Sequence, residues 1–179
     1  MKITLLGKVP KGDEVRKTFL DWKTEYVDLI EKELPEAKIL HGDHIRDDKG
    51  SVLVVGHDLW VVKNADVVIV DAREKIGAGT AQEVVMAKYF NVPLVSVIPK
   101  DTHHRRSNIT FNGKLLEDWV HPFLEVCSDY VALDIPDAIS WIKKGLPNPA
   151  KGISIFEEAI AAFETKLPEF VENYRQQGW

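Results

Sequence analysis

The sequence predicts an α/β fold, a three-layer sandwich with helices on both faces of a mainly parallel five-stranded sheet. Three observations predict it. Apolar runs of strand length alternate with helix-period segments along the 179 residues, the pattern of strands joined by helical crossovers. One run, Ala65-Asp66-Val67-Val68-Ile69-Val70-Asp71, is almost continuously β-branched, as expected of a strand buried on both faces. It leads through a glycine-bearing turn, Gly77-Ala78-Gly79-Thr80, into a helix pattern. That sets backbone N–H groups at the end of the sheet, where folds of this class bind ligands.

Composition bounds the rest. With 45% hydrophobic residues the chain can bury a core as one domain over residues 1–179, with a helical extension over about 153–179. A formal net charge of -5 argues against a nucleic-acid polymer as partner, since such a surface needs a basic stripe. The lone cysteine, Cys127, excludes an internal disulfide and suits a reducing compartment. Residues 1–7 are too short for the apolar region of a secretory signal, and no apolar run reaches the roughly 18 residues of a membrane span. The expectation is a soluble, cytoplasmic protein.

In chain order, Lys2–Leu6 reads as the first buried strand, closed by Gly7. Gly7-Lys8-Val9-Pro10-Lys11-Gly12 is loop, and Asp13 is a natural N-cap. Val15, Phe19, Trp22, Tyr26, Leu29 and Ile30 then follow helical spacing until Pro35, predicting one helix over 13–34. Residues 37–40 form a short second strand. Residues 41–50 crowd His41, Asp43, His44, Asp47 and Asp48 together, but His-x-Asp-His lacks a recognised ligand frame, so no metal site and no cofactor is expected. Residues 51–63 fit strand or helix. Ser51 as N-cap and the strand that follows favour helix, with Val52, Val55, Leu59 and Val62 on one face and Asp58 on a flank.

The strand at 65–71 comes next, then the glycine turn and a helix with Glu83 in its first turn, four residues past Gly79. An acid there either complements the helix dipole or faces the ligand crevice. Residues 93–98 form the fourth strand. The basic stretch from Pro99 to Asn108 reads as a solvated loop or as a flap whose His104, Arg105 and Arg106 meet an anionic group of a ligand. Phe111-Asn112-Gly113-Lys114 is a turn, residues 115–123 a short helix, residues 129–133 the fifth strand, and residues 136–144 a helix with Pro136 at its start and Gly145 past its end. A final helical pattern spans 153–177, broken or restarted at Pro168. Its Phe170, Tyr174 and Trp179 are expected to dock on the core. Right-handed crossovers make the flavodoxin-like order 2-1-3-4-5 the economical one, with its switch point between the first and third strands. Residues 7–13 and 71–83 then face each other across one crevice.

Over about residues 2–101, and most strongly over 58–99, the chain resembles the nucleoside 2-deoxyribosyltransferase-like family. The resemblance is carried by Asp58-Leu59, by Asn64-Ala65-Asp66-Val67-Val68-Ile69-Val70, by Gly79-Thr80-Ala81-Gln82-Glu83, and by Ala87 and Asn91-Val92-Pro93. A second likeness is to the phosphoribohydrolases that resemble lysine decarboxylases. Those place a similar turn directly after Pro-Gly-Gly, whereas here Arg73-Glu74-Lys75-Ile76 precedes the glycines. The first resemblance implies cleavage or transfer at the N-glycosidic bond of a nucleoside or nucleotide, in a homo-oligomer. It implies Glu83 as the nucleophile at C1′ and Asp58 as the acid that orients or protonates the leaving base. It further implies Gly7, Lys8, Asp71, Gly77, Gly79 and Thr80 around the substrate. Lys8 or the loop with His104, Arg105 and Arg106 is the candidate holder of a 5′-phosphate. Two departures stand out: Gly77 occupies a position where the family has an Asp that contacts the base, and Thr4 one where many members have Tyr. Asp71 and Glu74 are the candidates to replace them. A non-catalytic nucleotide-binding protein on the same fold is the competing reading.

Overall fold

A computed structural model of the chain describes residues 1–42, 45 and 47–176. Five parallel strands, β1 (Lys2–Leu6), β2 (Lys38–Leu40), β3 (Val67–Asp71), β4 (Leu94–Val97) and β7 (Tyr130–Ala132), form one sheet in the order β2-β1-β3-β4-β7. Counting along the chain within this sheet, that is the expected 2-1-3-4-5 arrangement. Alternate side chains of the central strands go to opposite faces, so each face needs its own cover. Val68 and Val70 of β3 pack under α3 (Ser51–Lys63), α4 (Ala78–Tyr89) and α5 (Pro122–Cys127), against Val62, Val84 and Leu124. Val67 and Ile69 face α2 (Lys23–Glu33) and α6 (Ile135–Lys143), against Tyr26, Ile30 and Ile139. The strand residues on both faces are shut off from solvent, the physical reason the β-branched run is uninterrupted.

The helix expected over 13–34 is two helices. α1 (Asp13–Thr18) ends at Phe19 in extended conformation, and α2 restarts after Trp22. The break lets the Trp22 ring lie on Gly7, where an added Cβ would sit 2.5 Å from it, while Trp22 Nε1 donates to the Lys8 carbonyl at 2.7 Å. The cap positions also shift by one: Gly12 precedes α1 and Gly50 precedes α3, so Asp13 and Ser51 are first helical residues rather than N-caps. On α3 the expected stripe is buried only at its end. Val62 is inside, whereas Val52 and Val55 are exposed.

The short helix expected over 115–123 is corrected as well. Residues Arg105–Phe111 (β5) and Lys114–Val120 (β6) pair as an antiparallel hairpin, and α5 starts only at Pro122. Asn112 and Gly113 both take positive φ, 50° and 79°, as a two-residue hairpin turn of the primed kind requires. The C-terminal pattern divides into α7 (Ser154–Glu164) and α8 (Leu167–Gln176), with Pro168 in the first turn of α8. Phe170 does not enter the core. It stays 40% exposed and stacks on Phe163 with ring centroids 5.9 Å apart. The Tyr174 side chain and Trp179 lie outside what is described, as do Asp43 and His44. Among the described residues no helix is long and apolar enough to cross a membrane.

A buried ion pair ties the far edge of the sheet together. Lys88 of α4, fully inaccessible, places Nζ 2.6 Å from Asp129 Oδ2, and Asp129 also accepts from the backbone N–H groups of Leu94 and Lys151. Burial lowers the Lys88 pKa, and Asp129 pulls it back up. Removing the carboxylate strands the lysine and two N–H groups. Asp129→Ala is expected to cost roughly 3 kcal/mol or more in urea unfolding; a change within about 0.5 kcal/mol would show the pair to be dispensable.

Candidate active site

The strand order reverses between β1 and β3, and a crevice of about 1010 Å³ opens at their carboxyl ends. The β1–α1 loop from Gly7 to Gly12 forms one side. Residues 75–77 and the first turns of α4 form the other, and Val54 and Asp58 of α3 close it. The two sides are joined directly: Thr80 Oγ1, buried, donates to the Gly7 carbonyl at 3.0 Å. The hydroxyl expected to approach the sugar therefore spends its proton on the scaffold.

Glu83 and Asp58 both line this crevice. Helix α4 starts at Ala78 after an extended Gly77, so Glu83 is in the second turn, and the first turn of α4 holds no acid. The dipole effect fades within one turn. Complementing the helix terminus thus does not explain Glu83, which lies on the crevice wall. Asp58 comes from the middle of α3, with His57 Nδ1 3.3 Å from its Oδ1. Two helices on one side of the sheet thus bring two carboxylates to one opening.

The remaining expected residues divide. Gly7, Lys8, Gly77, Gly79 and Thr80 line the crevice, and neither Gly77 nor Gly79 has an atom within 4 Å of where a Cβ would lie, so the turn is open to a ligand. Lys8 pairs with the exposed Glu74 at 2.9 Å. Asp71 is turned away to Arg73, which holds it through Nε at 2.8 Å, reaches Glu25 at 2.6 Å and lies 5.3 Å over the Tyr26 ring. Thr4 is buried and donates to the Leu40 carbonyl. Arg105 forms a forked pair with Asp118 at 2.8 and 2.6 Å, and Arg106 is exposed on the hairpin; among the described residues neither lines the crevice. No group of three or more metal-ligating side chains gathers among the described residues.

A second cavity, about 730 Å³, lies between α3, α4 and α5 and shares Asp58, Lys75, Ile76, Gly79 and Glu83 with the crevice. Its walls are mainly apolar, with His103, His104 and His121 at one side. The sequence carried a signal for this grouping. An Asn-Gly hairpin turn at 112–113 sets His121 opposite His104, and the His121 N–H donates to the His104 carbonyl at 2.8 Å.

No family model matches the chain, and no curated protein matches it. Sixteen chains of solved structures are similar, and one of them is a CMP N-glycosidase, BcmB, of Clostridium botulinum, at 10% identity and a TM-score of 0.45, covering 80% of this chain and 98% of that one. A likeness so slight carries no argument about activity.

His104 sits 5% exposed, and its Nε2 accepts from the Ile76 N–H at 3.2 Å. An accepting Nε2 puts the proton of the neutral ring on Nδ1, which is buried without a partner among the described residues, as is Nδ1 of His121. Burial, with the nearby His103, His121 and Lys75 charges, pushes the His104 pKa from 6.5 down to about 4. The unfolded chain therefore takes up this proton first, so the stability that neutral His104 confers is whole above about pH 6.5 and is lost as pH falls towards about 4. Relative to His104→Gln, the wild-type protein is expected to lose about 2 kcal/mol between pH 7 and pH 5. Parallel pH profiles of the two urea midpoints would contradict this.

Proposed function

We propose that the chain cleaves or transfers at the N-glycosidic bond of a nucleoside or nucleotide, with Glu83 as nucleophile and Asp58 as proton donor to the leaving base. What supports the reading above all is that these two carboxylates, from different helices, share the walls of both cavities. The stretches that carry the resemblance to the deoxyribosyltransferase-like family include both residues.

The chemistry needs that placement. As the C1′–N bond lengthens, positive charge builds at C1′ and negative charge on the base. An ionised Glu83 stabilises the first and then forms the C1′–O bond. A proton from Asp58 meets the second, so the base leaves neutral. Water, or the ring nitrogen of an incoming base, then gives its proton to the Asp58 carboxylate as it attacks C1′, and the bond to Glu83 breaks to release that carboxylate, giving hydrolysis or transfer.

Specific observations favour the rival, a non-catalytic nucleotide-binding protein. Gly77 and Thr4 replace polar groups of the family, Thr4 is tied beneath the sheet end, and Asp71 and Glu74 are engaged with Arg73 and Lys8. A base-release assay over a panel of nucleosides and nucleotides separates the two. Wild type is expected to free base, and Glu83→Ala to lower the rate by about 10³-fold or more. No release from any substrate by wild type would leave the binding protein. Release without any sugar passing to an added acceptor base would make the activity hydrolytic.

We further propose a homo-oligomer. Val52, Leu53 and Trp60 on α3 are 85%, 63% and 58% exposed, and Ile160 on α7 is 58% exposed, so among the described residues apolar side chains of both helices lie uncovered. Light scattering is expected to give a dimer or larger; a monomeric mass would contradict the assignment.

A further inference from the structure

The two connected cavities differ in character, and the difference orients a substrate. The chain is acidic overall, yet the crevice gathers Lys8, Lys11, Arg16, Lys23 and Lys75 on its walls. Of these, Lys8 is paired with Glu74 and Lys23 Nζ lies 3.8 Å from Asp21, and the acids among the described lining residues are Asp13, Asp48, Asp58 and Glu83. The Arg16 guanidinium, half-buried, has no carboxylate partner among the described residues. A half-desolvated guanidinium without a carboxylate is a receptor for an anion, and a phosphate matches its fork of donors.

The cavity on the other side of Glu83 and Asp58 is opposite in kind. Val55, Leu59, Met86, Phe123 and Leu124 line it, and Lys75 at the shared wall is the one cation among its described lining residues apart from the histidines. Its remaining polar groups include three imidazoles packed edge to face, His103 on His104 at 4.7 Å and His104 on His121 at 5.6 Å. The central ring is held neutral by the burial described above. An anion would lose its hydration there with little in return, whereas a flat uncharged heterocycle replaces water against apolar walls.

Resting on the reading of Glu83 and Asp58 given above, we propose that the substrate is a nucleoside 5′-monophosphate, its phosphate among Lys11, Arg16 and Lys23 in the crevice and its base in the apolar cavity beside His104. The sugar then spans the shared wall, which brings C1′ to the two carboxylates. Arg105 and Arg106 take no part in holding the phosphate.

Calorimetry on Glu83→Gln, which lacks the nucleophile, tests the assignment without turnover. Nucleoside 5′-monophosphates are expected to bind about tenfold or more tighter than their nucleosides. Lys11→Ala with Arg16→Ala should erase that advantage. Val55→Trp, at an exposed wall of the apolar cavity, should weaken binding of monophosphates and free bases while leaving ribose 5-phosphate unchanged. Phe123→Ala, 65% exposed at the same wall, should weaken free bases in the same way. Far-UV circular dichroism checks that each variant is folded. Equal affinity for nucleosides and monophosphates, or loss of ribose 5-phosphate binding in Val55→Trp, would overturn the assignment. Tight monophosphate binding with no base released by wild type would sink the glycosidase reading and leave this ligand standing. Equal release from nucleosides and monophosphates would do the reverse.

Discussion

The hydrogen bond from Thr80 to the Gly7 carbonyl spans the place where the sheet changes direction, and the site is arranged around it. Parallel strands in the order β2-β1-β3-β4-β7 force the chain to leave β1 and β3 towards opposite sides, which opens a crevice that side chains do not fill. A buried hydroxyl tying the start of α4 to the end of β1 fixes the width of that opening. It also fixes the direction of α4, so Glu83, one turn further on, reaches the crevice wall. Gly7 takes part twice: its carbonyl accepts from Thr80, and its bare Cα lets Trp22 pack on the loop.

Asp71, at the end of β3, is neutralised by Arg73, and Asp129 by Lys88, each a structural pair with the cation hydrogen-bonded to the carboxylate. Asp58 and Glu83 line the junction between the crevice and the apolar cavity. A group that must stabilise charge on a reacting carbon has to sit where a ligand reaches it. In the proposed reading, the absence of the Asp and Tyr carried by the family that the chain resembles leaves the base side to the histidine-lined cavity. The histidines of that cavity, with Phe123, Leu124 and Cys127, lie beyond the stretch that carries the resemblance, while its other described walls come from α3, the turn at 75–79 and α4.

Much of this was legible in the sequence, for identifiable reasons. The β-branched run at 65–71 and its glycine turn could only be a buried parallel strand entering a helix, so the sheet order and the pairing of Gly7 with Gly79 across one crevice followed. Asp58 and Glu83 were picked out by the family resemblance, since spacing alone left Glu83 equally a complement to the helix dipole. The hairpin was missed because Leu115, Leu116 and Trp119 also fit a helical face, although Asn112-Gly113 is a strong turn signal. The break between α1 and α2 was invisible because periodicity continues through Phe19 and Trp22. What ends α1 there is a tertiary contact, the Trp22 ring on Gly7. Arg16 and Lys23 went unnoticed because nothing in their local spacing points to the crevice they line. Placing Glu83 one turn too early kept alive a dipole role that the observed start of α4 at Ala78 removes.

The central claim is that the Glu83 carboxylate bonds to the anomeric carbon. The most direct test is to quench the protein with acid during turnover of a nucleotide or nucleoside and map its mass by peptide. The account predicts a single added glycosyl group on the peptide that contains Glu83, absent from Glu83→Gln. Base release that proceeds with no adduct at any quench time, or with the sugar on a different side chain, would contradict it.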